Sequence, residues 1–143
     1  MPKVVVDASV VIKWLTKKNE EKVLEARKIY ELMVREEVEI VSPLFLILEV
    51  LNILIRKKKS ANQVVGKLIK RLINTEINFK EMGREDIENV KRIVFKYDTT
   101  SYDAVYLAIA EEEKCKLLTM DSELLKIQDL TVDLDEFLQG FST

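Results

Sequence analysis

Short runs of β-branched residues alternate with longer amphipathic stretches along the whole chain, and this alternation limits the possible folds more than any other feature. Lys3–Val6 is a β-branched run closed by Asp7, and Ala8–Leu15 reads as a helix. Glu20–Glu36 is a second helix, with Val23, Ala26, Ile29, Tyr30, Met33 and Val34 on one stripe. Val38–Val41 reads as a strand. Ser42 and Pro43 then read as the N-cap and first residue of a helix reaching about Lys57. Ser60 opens another helix, Glu76–Phe79 is a short strand, and Arg84–Tyr97 is amphipathic. Thr99, Thr100 and Ser101 cap a helix from Tyr102 to about Glu113. Lys116–Met120 is a strand, Asp121–Ile127 a short helix, and Leu130–Leu134 an edge strand before a terminal turn or helix. Such alternation implies an α/β fold, a three-layer α/β/α arrangement around a parallel sheet of four or five strands. In sheets of this kind the site lies beyond the carboxyl ends of the strands, where strand order reverses.

The length of 143 residues suits one domain over residues 1–143, and no repeat, low-complexity segment or linker divides it. Composition narrows the chemistry. There is no His, so no Ser-His-Asp triad, imidazole base or imidazole metal ligand is available. One Cys makes neither an intrachain disulfide nor a multi-Cys zinc cage. Acid–base or metal chemistry must rest on carboxylates, Lys, Tyr or hydroxyls. The lone Cys and the lack of a signal-like N-terminus fit a cytoplasmic protein, and no apolar run is long enough to span a bilayer. The net charge of -2 points to no partner, so a nucleic-acid binder would need a local basic patch.

Four acids stand where the site is expected. Asp7 follows the first strand directly and Asp121 follows Lys116–Met120, although Asp is also a common N-cap after such a turn. Glu49 sits among Leu, Ile, Val and Phe, where a carboxylate is costly unless paired or bound to a metal. A solvent-facing stripe shared with Asn52 is the alternative. Asp103 lies in the first turn of an apolar helix, where the helix dipole alone would favour it. Four acids on one edge repel unless divalent cations neutralise them or some are protonated. Oxygen-only ligands select Mg²⁺ or Mn²⁺, which can hold a phosphodiester and activate an attacking water.

These segments resemble the PIN-domain ribonucleases, most nearly the short VapC-type toxins of toxin–antitoxin pairs. VVVDASVVIKWL resembles the family's opening strand, first acid and Ser/Thr. SPLFLILEVLNIL resembles its second-acid helix, and TSYDAVYLAIAEEEKCKLLTMDSELL its third-acid helix, following strand and T-x-D turn. The motifs run from Val4 to Leu125. The resemblance implies that Asp7, Glu49, Asp103 and Asp121 are the metal-binding catalytic acids, with Asp121 at the most variable position. It implies that Ser9 and Thr119 are accessory hydroxyls. It further implies cleavage of single-stranded or loop RNA, dependent on Mg²⁺ or Mn²⁺, that leaves a 5′-phosphate and a 3′-hydroxyl. A homodimer and a cognate antitoxin complete the implied picture.

Arg56, Lys57, Lys58 and Lys59, with Lys67, Lys70 and Arg71 on the next helix, form the densest basic region and a candidate RNA-guiding surface. A solvated turn is the alternative. The apolar excess of Leu44–Ile55 and Val64–Leu72 suits a dimer interface, an antitoxin groove or packing within the core. The aromatic residues, Tyr102 and Tyr106 included, read first as core, and Cys115 as packing at a strand start. Two other functions remain open: a non-catalytic RNA- or protein-binding module, and a phosphoryl-transfer enzyme with Asp7 as covalent nucleophile. The latter class commonly places a second Asp two residues on, where this chain has Ser9.

Overall fold

Val4, Val5 and Val6 are all buried in β1 (Lys3–Val6), as a strand covered on both faces requires. In the computed structural model, which describes residues 1–16 and 21–141, β1 is joined by β2 (Glu39–Pro43), β3 (Asn78–Lys80), β4 (Lys116–Leu118) and β5 (Thr131–Val132). All the pairings are parallel, in the order β3-β2-β1-β4-β5. β1 is therefore central, with β2 on one side and β4 on the other, and the strand order reverses between β1 and β4.

Among the described residues seven α-helices cover the sheet: α1 (Ala8–Leu15), α2 (Val23–Val34), α3 (Leu46–Asn52), α4 (Asn62–Ile73), α5 (Ile87–Tyr97), α6 (Ser101–Glu112) and α7 (Leu134–Gln139). α1 packs on α2 and α3, α3 on α4, and α2 on α7. α5 packs on α6, which lies against β1 and β2. Ala104–Ala110 are all buried, so α6 is a core helix with little amphipathic stripe. This is the α/β/α arrangement that the alternation predicts. Across the remaining described helices the core is aliphatic, with Trp14 anchored in it by an Nε1–H donated to the Ala26 carbonyl at 2.7 Å.

Several boundaries differ from the sequence reading. Ser42 and Pro43 belong to β2 and cap no helix. Ser42 Oγ instead donates to the Val6 carbonyl at 2.7 Å and accepts from the Val6 N–H, stitching β2 to β1 where Pro43 cannot continue the ladder as a donor. The helix that follows starts at Leu46 and changes to a π-helical turn over Ile53–Lys57. α4 starts at Asn62 behind Ala61, without a Ser60 cap. Asp121–Ile127 forms only a 3₁₀ turn, Leu124–Lys126. The expected start of the second helix at Glu20 lies outside the described residues, and α2 begins at Val23.

Candidate active site

The reversal between β1 and β4 brings together the residues that follow these two strands. Asp7 ends β1 and is the N-cap of α1, while Thr119 and Asp121 lie just past β4. α3 leaves the end of β2 with Glu49 in its first turn, and Asp103 occupies the first turn of α6. Asp7, Asp103 and Asp121 follow from strand and helix punctuation, whereas Glu49 stood out in the sequence as a carboxylate among apolar neighbours.

Asp7 is the best-fixed of the four acids. It is buried, and both carboxylate oxygens are occupied. Oδ1 accepts from the Ser9 N–H at 3.1 Å and from Ser9 Oγ at 2.5 Å. Oδ2 accepts from Thr119 Oγ1 at 2.5 Å. The hydroxyls then accept in turn: Ser9 Oγ from the Met120 N–H and Thr119 Oγ1 from the Asp121 N–H. Ser9 and Thr119 thus lash the ends of β1 and β4 together through the carboxylate. Burial holds the Asp7 carboxyl above its ordinary range, against the opposing pull of the Ser9 and Thr119 hydrogen bonds.

Glu49 is half-buried and meets α6 at Tyr106, whose phenol donates to Oε1 at 2.5 Å. Burial raises the Glu49 pKa, and the neighbouring charges of Asp7 and Asp103 raise it further. Asp103 is raised by burial first and by Asp121 as well. The four acids are therefore linked in one electrostatic chain. Tyr106 lies in the field of three of them, and burial with the Glu49 hydrogen bond pushes its phenol far above the ordinary value. Asp121 is exposed and accepts from the Glu123 and Leu124 N–H groups at 2.8 and 3.3 Å, so it also caps its own turn.

The donor chemistry fits a hard divalent cation: carboxylates and hydroxyls, with neither His nor Cys at the site. The raised pKa values express the same need, since each acid gains from any positive charge placed among them. As the side chains stand, no group of three or more acidic, His or Cys side chains among the described residues is close enough to hold a metal ion.

The sequence reading missed Tyr106. It stands three positions after Asp103, on the same helix face, and that spacing was the available signal. Tyr102, read as core, is 68% exposed. It borders a groove of about 790 Å³ with Phe45, Leu48, Glu49, Met82 and Val94. Arg56, Lys57 and Lys59 are exposed around the π-helical turn and Lys58 is half-buried there, seven to ten residues beyond Glu49. The acids' leading electrostatic partners are one another, not this basic cluster. Cys115 is half-buried just before β4, packed against the core, and burial pushes its thiol up to about 11.

No curated protein matches the chain. Among solved structures, the protein PAE2754 from Pyrobaculum aerophilum is 23% identical with a TM-score of 0.67, over 97% of this chain and 94% of that one. The Mycobacterium tuberculosis toxin VapC20, which cleaves the sarcin–ricin loop, superposes with a TM-score of 0.70 at 11% identity, over 90% and 98%. A toxin–antitoxin complex from Klebsiella pneumoniae gives 0.64 at 17% identity, over 90% and 96%. At such identities the likeness is one of fold. The sequence itself matches the PIN domain over residues 4–130. With the matched segment running from β1 through the turn after β4 that carries Asp121, and the sheet order reversing at Asp7, this chain is a member of the PIN domain family.

Proposed function

We propose that this chain is a divalent-cation-dependent endoribonuclease of the VapC type, the toxin of a toxin–antitoxin pair, working in the cytoplasm as one domain over residues 1–143. One observation carries the reading: Asp7, Glu49, Asp103 and Asp121, from four separate segments, interact electrostatically at the point where strand order reverses. Membership of the PIN family supports nuclease chemistry, and the toxin–antitoxin neighbours support the toxin role. Among the described residues no helix is long and apolar enough to cross a membrane.

Asp7, Glu49 and Asp103 are the proposed ligands, with Asp121 completing or tuning the site. A bound Mg²⁺ or Mn²⁺ would neutralise the acids, offset charge developing on a phosphodiester and lower the pKa of an attacking water. The chain's own work is positional. Ser9 and Thr119 fix the Asp7 carboxylate, and the N-termini of α1 and α6 present their positive dipole ends beside Asp7 and Asp103. With no imidazole in the chain, water is the proposed nucleophile. Arg56, Lys57, Lys58 and Lys59 are proposed to guide RNA phosphates. Leu48 at 64% exposure and Tyr102 at 68%, both lining the groove, support a homodimer or an antitoxin covering this side of the molecule.

The test is a Mn²⁺ titration of the purified protein and of Asp7→Asn, followed by analysis of RNA ends. Saturable binding lost in Asp7→Asn, with cleavage leaving 5′-phosphates, is the expected result. No binding at about 10 mM, beyond the ~10⁻³ M weak end of protein Ca²⁺ modules, would sink the reading. It would favour a non-catalytic RNA- or protein-binding module, the competing reading that the wide spacing of the acids supports.

A further inference from the structure

Three of the four acids are held by their own surroundings. Asp7 is fixed by Ser9 and Thr119, Asp121 by the turn that it caps, and Asp103 has a short side chain in the first turn of α6. Glu49 is different. Its side chain is longer, with more rotamer freedom to lose, and its hydrogen bond spans 57 residues to Tyr106.

We propose that Tyr106 is a positioning residue of the acidic site, whose buried phenol aims the Glu49 carboxylate for a divalent cation. This rests on the metal-dependent reading above. The geometry is a two-point clasp between α3 and α6. Phe45, four residues before Glu49, packs its ring edge-on against the Tyr106 ring with centroids 5.3 Å apart. That contact fixes the ring, and the ring fixes the hydroxyl. The phenol donates to Oε1 at 2.5 Å. A neutral phenol is a donor at working pH, so it orients the carboxylate without cancelling its charge. α6 thus supplies both Asp103 and the group that holds Glu49. A buried phenol needs some acceptor in any case. What separates positioning from mere satisfaction is an effect on the carboxylate's own binding.

Tyr106→Phe removes the hydroxyl and keeps the ring. Mn²⁺ alone is the probe, titrated calorimetrically into the wild type, Tyr106→Phe, Glu49→Gln and the double variant. Groups that orient metal ligands through a hydrogen bond typically cost 10–100-fold in affinity when removed. Tyr106→Phe is expected to bind Mn²⁺ about 10–100-fold more weakly, and to add nothing further in the Glu49→Gln background. Phe45→Leu, which keeps the phenol but loosens the ring that carries it, should weaken Mn²⁺ binding in the same direction and by less than Tyr106→Phe. Wild-type binding with unchanged affinity in Tyr106→Phe would overturn the positioning role alone. So would an equal loss in the Glu49→Gln background, which would mark a general packing defect. Absence of Mn²⁺ binding by the wild type would instead remove the metal-dependent reading and this role with it.

Discussion

Thr119 illustrates what a single buried hydroxyl does here. It is fully buried, donates to Asp7 Oδ2 and accepts from the Asp121 N–H. Thr119→Val keeps the shape and deletes both bonds. A hydrogen bond to a charged group is worth about 1.5–3 kcal/mol, and an orphaned N–H adds to the loss. Thr119→Val is expected to lower unfolding free energy by about 2 kcal/mol in urea titrations, with Thr119→Ser closer to the wild type. A Thr119→Val protein as stable as the wild type would show that the hydroxyl bridge is replaceable by packing. Ser9 and Thr119, each two residues from an acid, were singled out through the resemblance to the PIN family, whose accessory hydroxyls they match. That Thr119 serves Asp7, 112 residues away, depends on the pairing of β1 with β4.

At the scale of elements, α3 and the turn after it combine two jobs. Leu46, Val50 and Leu54 face the core, Glu49 faces the acids, and Arg56 and Lys57 end the π-helical turn. The sequence reads as one long apolar helix. The fold buries Leu46, Val50 and Leu54, packs Phe45, Ile47, Leu51 and Ile53 against the core and leaves Leu44, Leu48 and Ile55 exposed, so most of the apolar excess is core and a minority is surface. Replacing Lys57, Lys58 and Lys59 by Gln tests the basic end of this element. RNA binding should weaken, and the slope of log affinity against log salt should flatten by about 0.7 per lost phosphate contact. An unchanged slope would assign the cluster to solvation.

For the whole molecule, the acidic site opposes folding when it carries no cation. Asp7, Glu49 and Asp103 all have folded-state pKa values raised above those of the unfolded chain, burial being the first cause for each. Their contribution is most favourable below the ordinary carboxylate range near about 4 and declines as pH rises through the raised folded values. Glu113 runs the other way. Its hydrogen bond from Lys3 lowers its pKa, so its stabilisation is present above the ordinary value and lost as pH falls through the folded one. With three groups against one, Tm measured in EDTA should fall as pH rises above the ordinary carboxylate range near about 4. Mn²⁺ at 100 times its Kd contributes about 2.7 kcal/mol, which should raise Tm by roughly 5–10 °C near neutral pH and by less near pH 5. A Tm indifferent to Mn²⁺ at neutral pH would mean that the acids bind no cation in the folded protein.

The order of strands and helices, the parallel sheet and the positions of Asp7, Glu49, Asp103 and Asp121 were all legible in the chain, because each depends on local signals. β-branched runs make strands, apolar periodicity makes helices, and acids that directly follow a strand or open a helix must emerge at one edge of a parallel sheet. The Ser42–Pro43 cap was misread for the same reason: as local punctuation it signals a helix start, but the Val6 backbone beside it in the sheet claims the Ser42 hydroxyl. The hydroxyl lashing of Asp7, the raised pKa values and the hold of Tyr106 on Glu49 belong to the tertiary structure alone. Each depends on distances between atoms far apart in sequence and on the exclusion of water from between them.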